Sequence, residues 1–149
     1  MQKLGQAARQ TFGISDYSPE ALEVVDSSSP VAFRKIARMA GRLLNAPVSL
    51  VSIVQEDRDR QYFAGQVGLS EPWASNSQTP LSHSFCQHVK KTNAPLVVSD
   101  ATQHSQLRDN PAIRDLNVIA YLGVPIQGPG KDPWGALCVI EDKVRHWGR

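Results

Sequence analysis

The stretch PVSLVSIVQ, residues 47–55, constrains this chain more than any other. Val48, Leu50, Val51, Ile53 and Val54 place apolar side chains on both faces of an extended backbone. β-Branched residues favour a pleated strand, and one that is apolar on both faces needs cover above and below. The segment therefore predicts a strand in the middle of a sheet rather than at its edge.

The rest of the chain supplies such a sheet and its cover. Upstream, SPVAFRKIARMAGRLLNAP reads as a helix with legible ends: Ser29 as cap, Pro30 at the first helical position, Pro47 barring continuation. Phe33, Ile36, Ala37, Ala40, Leu43 and Leu44 form its predicted apolar face. Arg34, Arg38 and Arg42 recur every fourth residue on another face, either solvated or open to an acidic partner. Downstream, EDRDR turns the chain and QYFAG returns as the second strand of a hairpin. LSEPWASNSQTP reads as a polar loop, PLVVS as a short strand and DATQHSQLRD as a loop. NPAIRDLN opens a short helix, with Asn110 as cap followed by Pro111. VIAYLGVPIQ and WGALCVIE are strands joined by the Gly/Pro turn GPGKDP. Residues 1–30 carry little periodicity and read as an N-terminal linker or helix. The order predicts an α+β domain around an antiparallel sheet.

Composition narrows the function classes. A chain of 149 residues is one domain with room for a core. A net charge of +2 is too mild for the concentrated basic face of a nucleic-acid binder. No apolar run approaches the roughly 18 residues that span a bilayer, and MQKLGQAARQTFG has no apolar core of a signal peptide. Two cysteines, Cys86 and Cys138, make no disulfide framework and fit the reduced thiols of a cytoplasm. Neither nucleic acid nor membrane is expected as a partner.

The segment TPLSHSFCQHV, residues 79–89, gathers the side chains with chemistry to offer. Ser82 is the predicted cap of a helix reaching about Lys91, with Phe85, Cys86 and Val89 as its apolar face. Cys86 and His88 are two apart, point to nearly opposite sides of a helix and cannot share a metal. His83 and Gln87 lack the donor set of a zinc site. His83 can approach Cys86 at i, i+3, but a cysteine on an apolar face is ordinarily inert core. A thiol near a helix start gains acidity, which leaves redox reactivity open. No phosphate loop, nucleophile elbow, zinc-protease helix or dinucleotide fingerprint occurs. The residues thus predict no catalytic group, no metal ligand and no enzyme. Asp100, directly after PLVVS, is expected to bond the amides that follow it or to stand at a pocket mouth.

In order, PLSHSFCQHV, APLVVSDA, DNPAI, AYLGVPI and WGALCVIED resemble the GAF domain of bacterial signal-transduction proteins. LLNAPVSLVSIVQEDRDRQYFAGQVGL resembles that family's opening helix end and first hairpin. The likeness covers about residues 31–147. It implies a GAF-like, six-stranded antiparallel sheet with helices on one face and a small-molecule pocket on the other. It also implies a regulatory module that reports to a histidine kinase, phosphatase, cyclase or transcription regulator. The Asn-Lys-Phe-Asp-Glu pattern of the cyclic-nucleotide subgroup is absent. So are the Asp-Ile-Pro stretch and adjacent Cys-His of the bilin-binding subgroup. The two cysteines do not reproduce the context of the methionine-sulfoxide-reducing GAF enzymes. No cofactor or ligand identity follows. The family's C-terminal helix and output domain would come after RHWGR, and are expected to be absent from this chain.

From the resemblance, a pocket would be lined by Phe85, Cys86, Val98, Asp100, Tyr121 and Leu137, with Tyr121 offering both ring and hydroxyl. Two functions stay open: a sensor that binds a small molecule non-covalently, or a GAF fold that serves only dimerisation and interaction. Cys86 and Cys138 are expected to be structural. A homodimer is expected of a full-length protein, and a monomer or weak dimer of residues 1–149.

Overall fold

A computed structural model describes residues 30–128 and 130–148 of the chain. The expectations placed on residues 1–29, including the Ser29 cap, lie outside them. Six strands form one sheet: β1 (Val48–Gln55), β2 (Arg60–Val67), β3 (Gln78–Pro80), β4 (Leu96–Val98), β5 (Ala120–Ile126) and β6 (Gly135–Glu141). They lie in the order β3-β2-β1-β6-β5-β4, and every neighbouring pair is antiparallel. β1 is central, between β2 and β6, as its two-sided apolar pattern requires.

The alternation of β1 and β6 divides the core in two. Leu50, Val54, Ala136, Cys138 and Ile140 point to one face, while Val51 and Ile53 with Leu137 point to the other. Helix α1 (Pro30–Leu44) lies across β2, β1 and β6 on the second face. It comes very close at Gly65, where a Cβ would stand 2.5 Å from the Phe33 carbonyl. Ser49 Oγ donates to the Ala37 carbonyl at 2.6 Å, fixing the helix onto β1.

That close approach overturns the expected apolar stripe of α1. Ala37 and Gly41 are buried, with Phe33, Ala40 and Leu44 half-buried beside them, whereas Ile36 and Leu43 are exposed. Small residues at the contact bring the axis close to the sheet, and only a narrow stripe touches it. The wider face predicted from periodicity spills into solvent.

LSEPWASNSQTP is also more ordered than the polar loop read from its composition. It holds a short helix, α2 (Trp73–Asn76), and the edge strand β3, whose Gln78, Thr79 and Pro80 pair with Tyr62, Gln61 and Arg60. On the first face of the sheet lie α3 (Cys86–Thr92) and α4 (Ala112–Asp115), with 3-10 turns at Leu81–His83 and Ala101–Gln103. The tail returns across the fold. Arg145 donates to the carbonyls of Leu44 and Asn45 at the end of α1 and to Glu141, while its own amide donates to Ser99.

Candidate functional site

The segment at 79–89 reaches its place through a buried polar chain rather than through the Ser82 cap. Ser84 caps α3: the Gln87 amide donates to Ser84 Oγ at 3.0 Å, and Ser82 stays exposed. Ser84 Oγ in turn donates to Gln61 Oε1 at 2.8 Å, which also accepts from Ser52 Oγ at 3.1 Å. Gln61 Nε2 donates to Thr79 Oγ1 at 2.9 Å. Ser52, Gln61, Thr79 and Ser84 are all buried. Buried hydroxyls and amides are tolerated only when so partnered. One glutamine therefore joins β1, β2, β3 and the start of α3.

With Ser84 anchored, the next two side chains point at the sheet. Phe85 packs on Tyr121 with ring centroids 5.2 Å apart and planes tilted by 46°. Cys86 Sγ lies 3.0 Å from the Tyr121 hydroxyl and 3.8 Å from Cys138 Sγ. Cys138 stands opposite Gly123 in the β5–β6 register. Gly123 and Tyr121 share a face of β5, and a Cβ on Gly123 would run into the Tyr121 ring and hydroxyl. The missing side chain is thus the space in which Tyr121 lies to reach the sulfurs.

The electrostatics of this cluster are unequal. The Cys138 contact, and behind it the Tyr121 and Ser52 hydroxyls, hold the Cys86 thiol below its ordinary range against the opposing effect of burial. The same contact with Cys86, reinforced by burial, pushes Cys138 well up. Burial, then the neighbouring sulfurs, raise Tyr121 far above the usual phenol. Cys86 is the more acidic of two touching thiols.

Beside this cluster is a cavity of about 20 Å³, walled by Leu50, Phe85, Ala112, Leu116, Val118 and Ile140. Gln61, His83, Cys86 and Tyr121 complete its lining. One water occupies roughly 10–15 Å³ by the same measure, so the space is the size of one or two waters. His83 Nε2 meets Asp115 Oδ2 at 2.8 Å, tying the 3-10 turn on one side of the cavity to α4 on the other. That bond, then Arg114, holds the Asp115 carboxyl below the ordinary carboxylate range.

Three of the six residues expected at a pocket, Phe85, Cys86 and Tyr121, are brought together here. Val98 is buried in the same core without lining the cavity. Asp100 caps the 3-10 turn Ala101–Gln103, its Oδ1 accepting from the Thr102 amide at 3.0 Å and from the Thr102 hydroxyl. Leu137 belongs to the other face, under α1. The strand period decides this: Leu137 is odd where Ala136 and Cys138 are even. Gln61 and His83 were missed as lining residues. A glutamine two residues before Phe63, on the same face of β2, is the faint signal of the first. The described residues hold no group of three or more His, Cys, Asp or Glu side chains placed to bind a metal ion. Among them no helix is long and apolar enough to cross a membrane.

Comparison with known proteins agrees with this architecture. The family model described as GAF domain matches residues 30–149. No curated protein sequence matches significantly. The GAF domain of a phosphoenolpyruvate-protein phosphotransferase from Coxiella burnetii superposes with a TM-score of 0.64 at 16% identity, over 86% of this chain and 77% of that one. The blue-light absorbing form of the Thermosynechococcus elongatus PixJ GAF domain gives 0.59 at 15% identity, over 85% and 77%. Free methionine-R-sulfoxide reductase from Neisseria meningitidis, in complex with its substrate, gives 0.58 at 14% identity, over 82% and 69%. Likeness at such identities is a likeness of fold.

Proposed function

This chain belongs to the GAF domain family, regulatory and sensor modules of signalling proteins, and we propose that it is a sensor that takes a small molecule non-covalently into the cavity between the sheet and α3/α4. The observation that carries this is the mixed lining: Gln61, His83, Cys86 and Tyr121 are set among otherwise apolar walls. At its present size the cavity admits a ligand of one or two heavy atoms. A larger one enters only by parting the 3-10 turn from α4, which breaks the His83–Asp115 contact. Occupancy is thereby coupled to the position of α4, and an attached or partner output domain reads that difference. A bacterial histidine kinase, phosphatase, cyclase or transcription regulator suits such an output, and a reducing cytoplasm suits two unbonded thiols in contact. The role is regulatory rather than catalytic, since Cys86 faces a hydroxyl and a thiol while His83 is engaged by Asp115. Native mass spectrometry of freshly purified protein tests this: a bound mass lost on denaturation supports it. A bare chain that also binds nothing from a library of small metabolites overturns it.

One observation favours a second reading, interaction without ligand. Ile36, Met39 and Leu43 of α1 are 45%, 62% and 78% exposed and follow one another at spacings of three and four. That is the spacing of a coiled-coil seam, which a second copy of the same helix can cover.

A further inference from the structure

We propose that Cys86 and Cys138 are a peroxide-oxidised thiol pair, closing to a reversible disulfide that bolts α3 to β6. The inference stands whether or not the cavity takes a ligand. Both thiols are free, and their side chains already touch across the interface between a helix and the central part of the sheet. They are not equivalent. Cys86 borders the cavity, whereas Cys138 does not and lies behind it, 2% and 1% exposed respectively. A small oxidant in the cavity therefore meets Cys86 first. Hydrogen peroxide, with two heavy atoms, is within the size the cavity holds. The Tyr121 hydroxyl and the Cys86 sulfur share a hydrogen bond at 3.0 Å, and a hydroxyl that donates to that sulfur favours its thiolate, the reactive form. The lowered Cys86 thiol and raised Cys138 thiol assign the same roles, attacking and resolving.

The chemistry balances in two steps. The Cys86 thiolate attacks one peroxide oxygen; the S–O bond forms, the O–O bond breaks, and hydroxide leaves, becoming water with the proton the thiol released. Cys138 then attacks the Cys86 sulfenic acid; the S–S bond forms and water leaves with the Cys138 proton. Two thiols and one peroxide give one disulfide and two waters. Bonding sulfurs stand about 2 Å apart, so the start of α3 moves toward β6, carrying Phe85 and the cavity wall with it.

The test uses the whole chain, reduced, then exposed to hydrogen peroxide without denaturant. Thiols are next blocked with a maleimide in denaturant, and the protein is weighed intact and as peptides. The expected result is a monomer lighter by two hydrogens with no maleimide adduct, and a linked peptide pair containing Cys86 and Cys138. Dithiothreitol restores both adducts. In Cys138→Ser the linked pair is lost and Cys86 gains oxygen instead. The proposal is overturned if wild-type protein keeps both thiols, gains only oxygen at Cys86, or links only between chains. These wild-type outcomes decide it even if the variant fails to fold.

Discussion

Tyr121 and Gly123 form one structural unit: the tyrosine ring lies along its own strand in the space above the glycine, and so its hydroxyl reaches Cys86. Gly123→Ala puts a methyl where the ring lies. Tyr121 must swing away, and overpacking of this kind costs about 1–3 kcal/mol. It also withdraws one of the hydrogen bonds that lower the Cys86 thiol, whose titration then moves up toward the ordinary thiol range. Urea unfolding and the pH profile of Cys86 alkylation measure both effects. A variant as stable as wild type, with an unshifted profile, counts against this account.

The His83–Asp115 contact sets a pH dependence with a defined sign. Asp115 titrates below its ordinary value of 3.8, first because of His83 and then Arg114. A carboxylate with a depressed pKa contributes stability above its unfolded value and loses it as pH falls through the folded one. The tie between the 3-10 turn and α4 therefore holds at neutral pH and is lost only below 3.8. Asp115→Asn is expected to mimic acid, with faster hydrogen exchange at Ile113–Leu116 and a small loss of global stability. Equal exchange in both proteins would show that the contact does not hold α4.

Exposure of the α1 seam makes a prediction about association. Leu43→Glu and Ile36→Glu place charges on residues that do not pack against their own sheet, so thermal stability changes little. Any self-association through α1 is lost, because the seam is covered symmetrically and each substitution acts twice. Sedimentation of wild type and variants at micromolar concentration decides it. A wild-type chain that stays monomeric across that range removes the second copy as occupant of the seam.

Periodicity carried most of the fold and little of the site. β1 and β6 were legible because two-sided apolar runs admit few alternatives. β3 was not: Thr79 alone favours a strand, Pro80 opposes one, and pairing with Arg60–Tyr62 makes the three residues a strand. The stripe on α1 was half legible, since helical spacing finds Phe33 and Ala37 but not the backbone approach at Gly65 that turns Ile36 outward. At the site, Phe85, Cys86 and Tyr121 followed from apolar pattern and family likeness together. Leu137 lies on the opposite face by strand parity, and Asp100 caps the turn that follows it, the alternative its position already allowed. The partners of Gln61 and His83 lie 9 to 32 residues away, and no local pattern encodes such pairings.

Gln61 is the residue on which the site's architecture depends. Its carbonyl accepts from Ser52 and Ser84 and its amide donates to Thr79, so Gln61→Leu removes three buried hydrogen bonds at once, leaving Ser84 its bond from the Gln87 amide and Thr79 its bond to the Pro80 carbonyl. Each hydrogen bond lost costs about 0.5–1.5 kcal/mol, more where a buried group is left unpaired, and Ser84 is also the cap of α3. Unfolding is expected to shift by several kcal/mol, with α3 loosening first because its start hangs from Ser84. Gln61→Glu separates packing from hydrogen bonding: it keeps shape and acceptors but cannot donate to Thr79 unless protonated. Its stability is therefore expected to lie between wild type and Gln61→Leu at neutral pH, and to recover as pH falls and the carboxyl takes a proton. Denaturant midpoints at pH 7 and about 5 read both effects. A Gln61→Leu protein as stable as wild type, with α3 amides equally protected, would show that the chain of hydroxyls does not position the site.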